Sequence, residues 1–335
     1  MSTKHGSPSV VPTPAELLYV GIDVSKEKLD LSRTDDLERV VKFSNDPAGI
    51  TRIVELLTAL KPAAIVVEST GGLERPLLEA LLEASLPASL VHPGRVRYFA
   101  MGLGILAKTD PIDARVLARF AKLAAPRLSE KRSKNEAELR DLVTCRRQLC
   151  EARAQQQNRR FSTFSKAALR SIDLVIKAMN KQVEALDKQI RDLIDADDEF
   201  KNLDGLLQSV PGVGPTLSAT LVAELRELGQ ADRQQIGALV GVAPFNADSG
   251  TVKARRSIRG GRTMLRCVLY MGTLAAMRFN PVIRVFADRL KAAGKESKVV
   301  IVACMRKLMA LINAMIRDNL AWHQLDVVKK LAVSH

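Results

Sequence analysis

Four carboxylates in the first third of the chain have the types and positions that hold a divalent cation over a phosphate. Asp23 closes the apolar run Leu18-Tyr19-Val20-Gly21-Ile22-Asp23-Val24, and Glu68 closes Ala64-Ile65-Val66-Val67-Glu68. Asp110 and Asp113 stand three apart in Lys108-Thr109-Asp110-Pro111-Ile112-Asp113. Pro111 suits a first helical turn there, so both aspartates project from one helix face. Oxygen donors grouped this way coordinate Mg²⁺, with Mn²⁺ as a substitute, and such ions stabilise the attacking and leaving oxygens of phosphoryl transfer. Any one of the four is better read as a solvated strand end or a helix cap. As a set at the element ends of one α/β unit they predict a metal site.

Two further segments carry candidate chemistry. Pro211-Gly212-Val213-Gly214-Pro215, followed by Leu217, Leu221 and Leu225, has the look of a helix-hairpin-helix. Gly212 and Gly214 let the backbone turn tightly and present N–H groups at a helix N-terminus, which suits a phosphate; the same pattern also describes an ordinary turn between helices. Ala243-Pro244-Phe245-Asn246-Ala247-Asp248-Ser249-Gly250 precedes Lys253, Arg255, Arg256, Arg259 and Arg262, with Arg266 one turn further on. Asp-Ser-Gly is commonly just a turn. A serine beside several arginines is also what a phosphodiester-attacking nucleophile requires, because the cations stabilise the pentacovalent charge. Tyr270 is a rival nucleophile but reads as core within Leu265–Met271, and the four histidines, two of them terminal, suggest no site.

The elements that must position these groups can be read from periodicity. Leu18–Val24, Lys28–Arg33 and Arg39–Phe43 read as three consecutive strands. A helix from Pro47 to Leu60, a strand at Ala64–Glu68, a helix from Leu73 to Ala84 and a strand at Ser89–Val91 follow. That order predicts an α/β sheet with a mixed edge, RNase H-like in its succession of elements. The middle third is helical. Leu169, Ile172, Ile176, Met179, Val183, Leu186, Ile190 and Leu193 alternate spacings of three and four, a coiled-coil seam. The stretch before it, Asn135 to Phe164, places Arg146, Arg153 and Gln156 where apolar residues would stand. The pair predicts an antiparallel hairpin of two long helices, serving either as a dimer element or as an intramolecular spacer. The last third reads as short helices: Thr216–Leu228, Gln234–Val240, Thr263–Phe279, Pro281–Ala293 and Ser297–Leu320, around a loop at 241–261.

Charge is distributed as unevenly as the motifs. The 335 residues carry 51 Lys and Arg against 37 Asp and Glu, a net charge of +14. Residues 1–130 balance 16 against 16, residues 131–205 carry 16 against 13, and residues 206–335 carry 19 against 8. A polyanion should therefore bind chiefly through the last third, where between 251 and 310 only Asp288 and Glu296 oppose 14 basic side chains. Aromatics are 4% of the chain, too few for a stacking platform, so DNA would be held by its backbone. No uninterrupted apolar run reaches the roughly 18 residues of a membrane span. The four cysteines have no CxxC spacing, which predicts neither disulfides nor zinc and points to the cytoplasm. Residues 1–15 read as a disordered tail.

Taken in order, Val20-Gly21-Ile22-Asp23-Val24-Ser25-Lys26, Val67-Glu68-Ser69-Thr70-Gly71, Lys108-Thr109-Asp110-Pro111-Ile112-Asp113-Ala114, Val210–Pro215, and Gly241-Val242-Ala243-Pro244 through Ser249-Gly250 to Gly260-Gly261-Arg262 resemble the DEDD transposases of the bacterial insertion sequence 110 family, related to pilin-gene invertases. The resemblance implies an RNase H-like (RuvC-like) catalytic domain over 16–128, a coiled-coil helical segment over 129–205, and a helical C-terminal transposase domain over 206–335. It implies a DEDD tetrad of Asp23, Glu68, Asp110 and Asp113 holding Mg²⁺, and a nucleophilic Ser249 that forms a covalent protein–DNA intermediate. It further implies a noncoding bridge RNA that guides the enzyme to donor and target DNA, a homodimer assembling as a dimer of dimers, and a cytoplasmic, nucleoid-associated location with no membrane. With that likeness in place, we expect Arg259, Arg262 and Arg266 to hold the scissile phosphate near Ser249, with Lys108 in a lesser part. Two rival functions remain open at this point: a metal-dependent nuclease of the Holliday-junction-resolvase kind that uses water, and a basic protein that bridges two duplexes without cutting them.

Overall fold

The computed structural model describes residues 17–107, 109–246 and 256–325. They divide into two compact units, one ending at Arg132 and the other beginning at Ser133.

The first unit is built on a five-stranded sheet: β1 (Tyr19–Val24), β2 (Lys28–Arg33), β3 (Asp36–Ser44), β4 (Ala64–Glu68) and β5 (Ala88–Val91). The strands lie in the order β3-β2-β1-β4-β5. The β1–β2–β3 meander is antiparallel, and β4 and β5 add in parallel, so the expected mixed edge is present and the topology is consistent with an RNase H-like fold. Side chains alternate across the sheet. Val20, Ile22, Leu29, Leu31, Ile65 and Val67 pack on one face under α1 (Pro47–Leu60) and α2 (Arg75–Glu83). Val66 and Val91 pack on the other under α3 (Pro93–Gly102) and α4 (Asp110–Ala124). Helix α3 has no counterpart in the sequence reading; His92 caps it by accepting from the Gly94 N–H, and Pro93 occupies its first turn.

Gly21 explains how α4 reaches the sheet. A Cβ at this position would stand 2.2 Å from the Ala118 nitrogen and 2.6 Å from the Ala114 carbonyl oxygen. Only a residue without a side chain lets the helix backbone lie directly on β1, and Asp23, two residues further along, faces the same side.

The second unit begins with an antiparallel pair, α5 (Lys134–Phe161) and α6 (Lys166–Ala196). Helix α6 packs along α5; of its expected apolar seam Val183 and Ile190 are buried and the rest are half-buried, and Ile194, outside that seam, is buried as well. The polar residues on the seam of α5 meet polar partners on α6: Arg146 pairs with Asp187, Arg153 donates to Asn180 at 2.9 Å, and Arg160 donates to Asp173 at 2.7 Å. At its base the hairpin shares one core with α7 (Asp198–Gln208), α8 (Pro215–Glu224), α9 (Arg233–Val240), α10 (Thr263–Phe279), α11 (Pro281–Ala292) and α12 (Ser297–Arg317). Asp197 caps α7 by accepting from the N–H groups of Glu199 and Phe200. Helix α12 is long and apolar enough to cross a membrane, but it is the central core helix of this unit, with Cys304, Leu308, Met309 and Ile312 fully buried. The expected loop at 241–261 contains a small ladder, β6 (Pro244–Phe245) against β7 (Ser257–Ile258).

Candidate phosphoryl-transfer site

The parallel register Ile22↔Val67 carries Asp23 and Glu68 out side by side at the carboxyl ends of neighbouring strands, the edge where open α/β sheets bind ligands. Helix α4 opens at the same edge. Pro111 fills its first turn, the Asp113 N–H donates to the Thr109 carbonyl at 2.8 Å, and Asp110 and Asp113 occupy the first turn, where the helix dipole favours negative charge.

Asp23 senses the other three carboxylates. The Asp23 carboxyl is pushed up to about 6, first by burial and then by the negative charges of Asp113, Glu68, Asp110 and Asp30. A field of this sign is relieved by a cation, and the donors are all hard carboxylate oxygens, which suits Mg²⁺ or Mn²⁺. Among the described residues no three acidic, histidine or cysteine side chains stand close enough, as placed, to cage an ion.

Three residues at this site were not singled out in the sequence. Asp30 sits directly across from Asp23 in the β1–β2 register, is 1% exposed, and has one carboxylate oxygen with no hydrogen-bond partner. Lys28, two residues before it on the same strand face, lies 2.5 Å from Asp110 and 3.5 Å from Asp30. This contact holds the Asp110 carboxyl below its usual range. Glu74 is buried beneath the loop that follows Glu68, and its carboxylate accepts from the Thr70 and Gly72 N–H groups at 2.9 and 2.8 Å and from the Ser69 hydroxyl at 3.4 Å. Asp30 becomes recognisable only through its strand register. A tight turn over Ser25–Lys28 fixes a register in which 23 faces 30.

In the second unit the Pro211–Pro215 turn joins α7 to α8. Gly212 adopts φ +100° and is pressed onto α10, where a Cβ would lie 2.5 Å from the Ala276 nitrogen. Gly214, Pro215 and Thr216 are exposed, leaving the α8 N-terminus open to solvent without a side-chain cap.

Ser249, Lys253 and Arg255 lie outside the described residues, as does Lys108 of the first unit. The frame around 247–255 is described. Gly241 and Gly261, both at positive φ, let two chain segments approach so closely that a Cβ on Gly261 would stand 2.2 Å from the Gly241 nitrogen. Arg266 donates to the Gly241 and Gly260 carbonyls at 3.1 and 2.8 Å, and Arg262 forms a two-pronged ion pair with Glu227 at 2.7 and 2.8 Å. Both guanidinium groups thus brace the frame, whereas Arg256 and Arg259 are exposed. Tyr270, expected in the core, is 38% exposed on α10, because Leu265, Leu269, Thr273 and Ala276 form the buried stripe of that helix.

Two family models match the chain, the first running across the boundary between the two units. Residues 20–167 match the family model of DEDD transposases of the IS110 type, and residues 204–288 match that of the transposase IS116/IS110/IS902 family. The chain is 29% identical over 314 residues to the pilin gene-inverting protein of Moraxella lacunata, covering 90% of this chain and 96% of the relative, and the Moraxella bovis protein matches to the same extent. It is also 28% identical over 146 residues to a 43.6 kDa protein of insertion element IS110 from Streptomyces coelicolor, covering 43% of this chain and 35% of that one.

Proposed function

The chain belongs to the IS110 family of DEDD transposases, and from that premise we propose that it moves or inverts DNA by a serine–phosphate intermediate assembled with a tetrad-bound metal. It is a transposase or DNA recombinase, an enzyme of phosphoryl transfer on DNA. The observation that carries the reading is the gathering of Asp23, Glu68, Asp110 and Asp113 at one sheet edge, where burial first and then the neighbouring negative charges push the Asp23 carboxyl up to about 6.

In this reading Asp23, Glu68, Asp110 and Asp113 hold Mg²⁺, or Mn²⁺ in its place. When bound, the metal supplies charge stabilisation at the phosphate and lowers the barrier to nucleophilic attack. The Ser249 hydroxyl forms a new ester bond to phosphorus, the bond from phosphorus to one sugar oxygen breaks, and the serine proton leaves to balance the departing sugar oxygen. Lys253, Arg255, Arg256 and Arg259 neutralise the phosphate, Arg262 and Arg266 keep the loop in place, and Lys108 and the N–H groups at Gly212 and Gly214 contact backbone phosphates. The net +11 of residues 206–335 supports DNA as the partner. A noncoding bridge RNA as guide, a homodimer through the long hairpin and a dimer of dimers on DNA complete the reading by family likeness, with the reaction on nucleoid DNA in the cytoplasm.

The test is a denaturing gel of protein co-expressed with RNA from its native flanks, mixed with donor and target DNA and Mg²⁺. A covalent protein–DNA band that disappears in Ser249→Ala is the expected outcome. Cleavage without an adduct would make the protein a nuclease that uses water, and binding without cleavage would make it a bridging protein.

A further inference from the structure

Lys28 is placed as no surface lysine needs to be. Its backbone is fixed by the β1–β2 turn: the Ser25 hydroxyl donates to the Lys28 carbonyl at 2.9 Å and accepts from the Lys28 N–H at 3.3 Å. Asn45 ties the same turn by donating to the Ser25 carbonyl at 2.8 Å. From this anchor the ammonium group reaches over the carboxyl edge of the sheet, 2.5 Å from Asp110 and 3.5 Å from Asp30. The two carboxylates differ in kind, since Asp110 is 46% exposed while Asp30 is 1% exposed and keeps one oxygen without a hydrogen-bond partner. Asp30 faces Asp23 across the strand pair, so the lysine spans from the helix arm of the tetrad to a buried acid behind the strand arm.

We propose that Lys28 is a tethered counter-ion which occupies Asp110 until a divalent cation displaces it, and that Asp30 is the buried anchor that keeps the displaced ammonium at the rim of the site. The inference rests on the metal-binding reading of the tetrad. Its physical basis is competition: a carboxylate in contact with an ammonium group is not free to ligate, and a fixed positive charge beside an incoming dication repels it. A buried acid with an unsatisfied oxygen is costly unless a cation stays near it, which gives Asp30 a reason to retain the lysine after Asp110 lets go. The arrangement would offset part of the negative charge at the acidic edge in the resting protein, and it would leave a cation poised where a phosphodiester enters. Lys28 and Asp30 are therefore positioning residues, acting through Asp110 and Asp23.

The decisive measurement is Mn²⁺ binding to the full-length protein in the absence of DNA, followed by electron paramagnetic resonance of free Mn²⁺. It would compare wild type with Lys28→Met, Lys28→Arg, Asp30→Asn and Asp23→Asn, each checked for an unchanged circular dichroism spectrum. Lys28→Met should bind Mn²⁺ roughly tenfold more tightly, while Lys28→Arg stays near wild type. Asp30→Asn should weaken binding, because the displaced ammonium loses the acid that holds it away from Asp110 and the site loses a negative charge facing Asp23. Unchanged or weaker binding in Lys28→Met overturns the proposal, since a merely structural lysine would never improve affinity when removed. Failure of the underlying reading is seen separately, as Mn²⁺ binding that survives Asp23→Asn unaltered.

Discussion

The backbone of Ala114 lies against Gly21 so closely that its carbonyl oxygen is 2.6 Å from the place a Cβ on the glycine would take. This contact sets the distance between the two arms of the tetrad. Asp113 is the residue before Ala114, and Asp23 is two residues after Gly21 on the same strand face.

Substituting Gly21→Ala should therefore lift α4 from the sheet. The expected loss of stability is about 1–3 kcal/mol, typical of overpacking against backbone that cannot yield, together with weaker metal binding and slower strand cleavage. Gly205→Ala is the matching control, because the space around Gly205 is open and its helical position favours alanine by about 0.5–1 kcal/mol. Thermal melts and a cleavage assay on the two variants check both statements, and equal behaviour of the two would refute the role of Gly21.

Raising the pH should destabilise the metal-free protein between about 4 and 6. The folded state keeps the Asp23 proton up to about 6, whereas the unfolded chain releases it near 3.8. Across this window the native state binds more protons than the unfolded state, so unfolding free energy falls with rising pH and levels off above it. Asp23→Asn should flatten that part of the curve. Since a metal must displace the same proton, Mn²⁺ affinity should drop about tenfold per pH unit below 6. Chemical denaturation in chelator from pH 4.5 to 7, with Mn²⁺ titrations over the same range, measures both.

Glu74→Ala removes the acceptor for two backbone N–H groups and a hydroxyl in the loop after Glu68. Hydrogen bonds to a buried charge contribute about 1.5–3 kcal/mol each, and the orphaned amides add their own penalty, so a loss of at least about 3 kcal/mol is expected. Glu74→Gln keeps one oxygen acceptor and should cost less. Hydrogen exchange at the Thr70 and Gly72 amides should speed up in proportion, and exchange unchanged from wild type would exclude this role.

Arg262 offers a test of bracing against phosphate binding. The bidentate pair with Glu227 is partly exposed, so a double-mutant cycle should give a coupling of about 0.5–1 kcal/mol. If Arg262 also holds the scissile phosphate, Arg262→Ala slows recombination while Glu227→Ala leaves a guanidinium still able to reach DNA. A recombination rate unchanged in Arg262→Ala would confine the residue to the frame.

Much of the sheet was legible because its strands are apolar runs separated by strong turn signals. Pro47, Pro111 and Pro281 marked helix starts for a simple reason, as proline lacks the N–H that a first turn has no use for. The four tetrad acids were legible from their places at element ends. Asp30 was not, since an acid in the middle of a buried strand looks like a propensity defect until its register partner is known. Glu74 was hidden differently: its work is done on the backbone N–H groups of its own loop, which leave no trace in residue types. The core of α10 was misjudged at Tyr270 because an apolar run names a helix without telling which of its faces turns inward.

Arg146, Arg153 and Arg160 are seven residues apart on α5, and their partners Asp187, Asn180 and Asp173 descend α6 in equal steps. The hairpin is thus a ruler graduated in heptads. Removing seven residues from each arm between two graduations shortens it by about 10 Å and leaves every remaining rung mated. Removing three or four from a single arm sets guanidinium groups against the apolar seam. Among relatives, the reach of this arm should vary in quanta rather than continuously, and an engineer wishing to change the span between whatever it connects has only those quanta to work with.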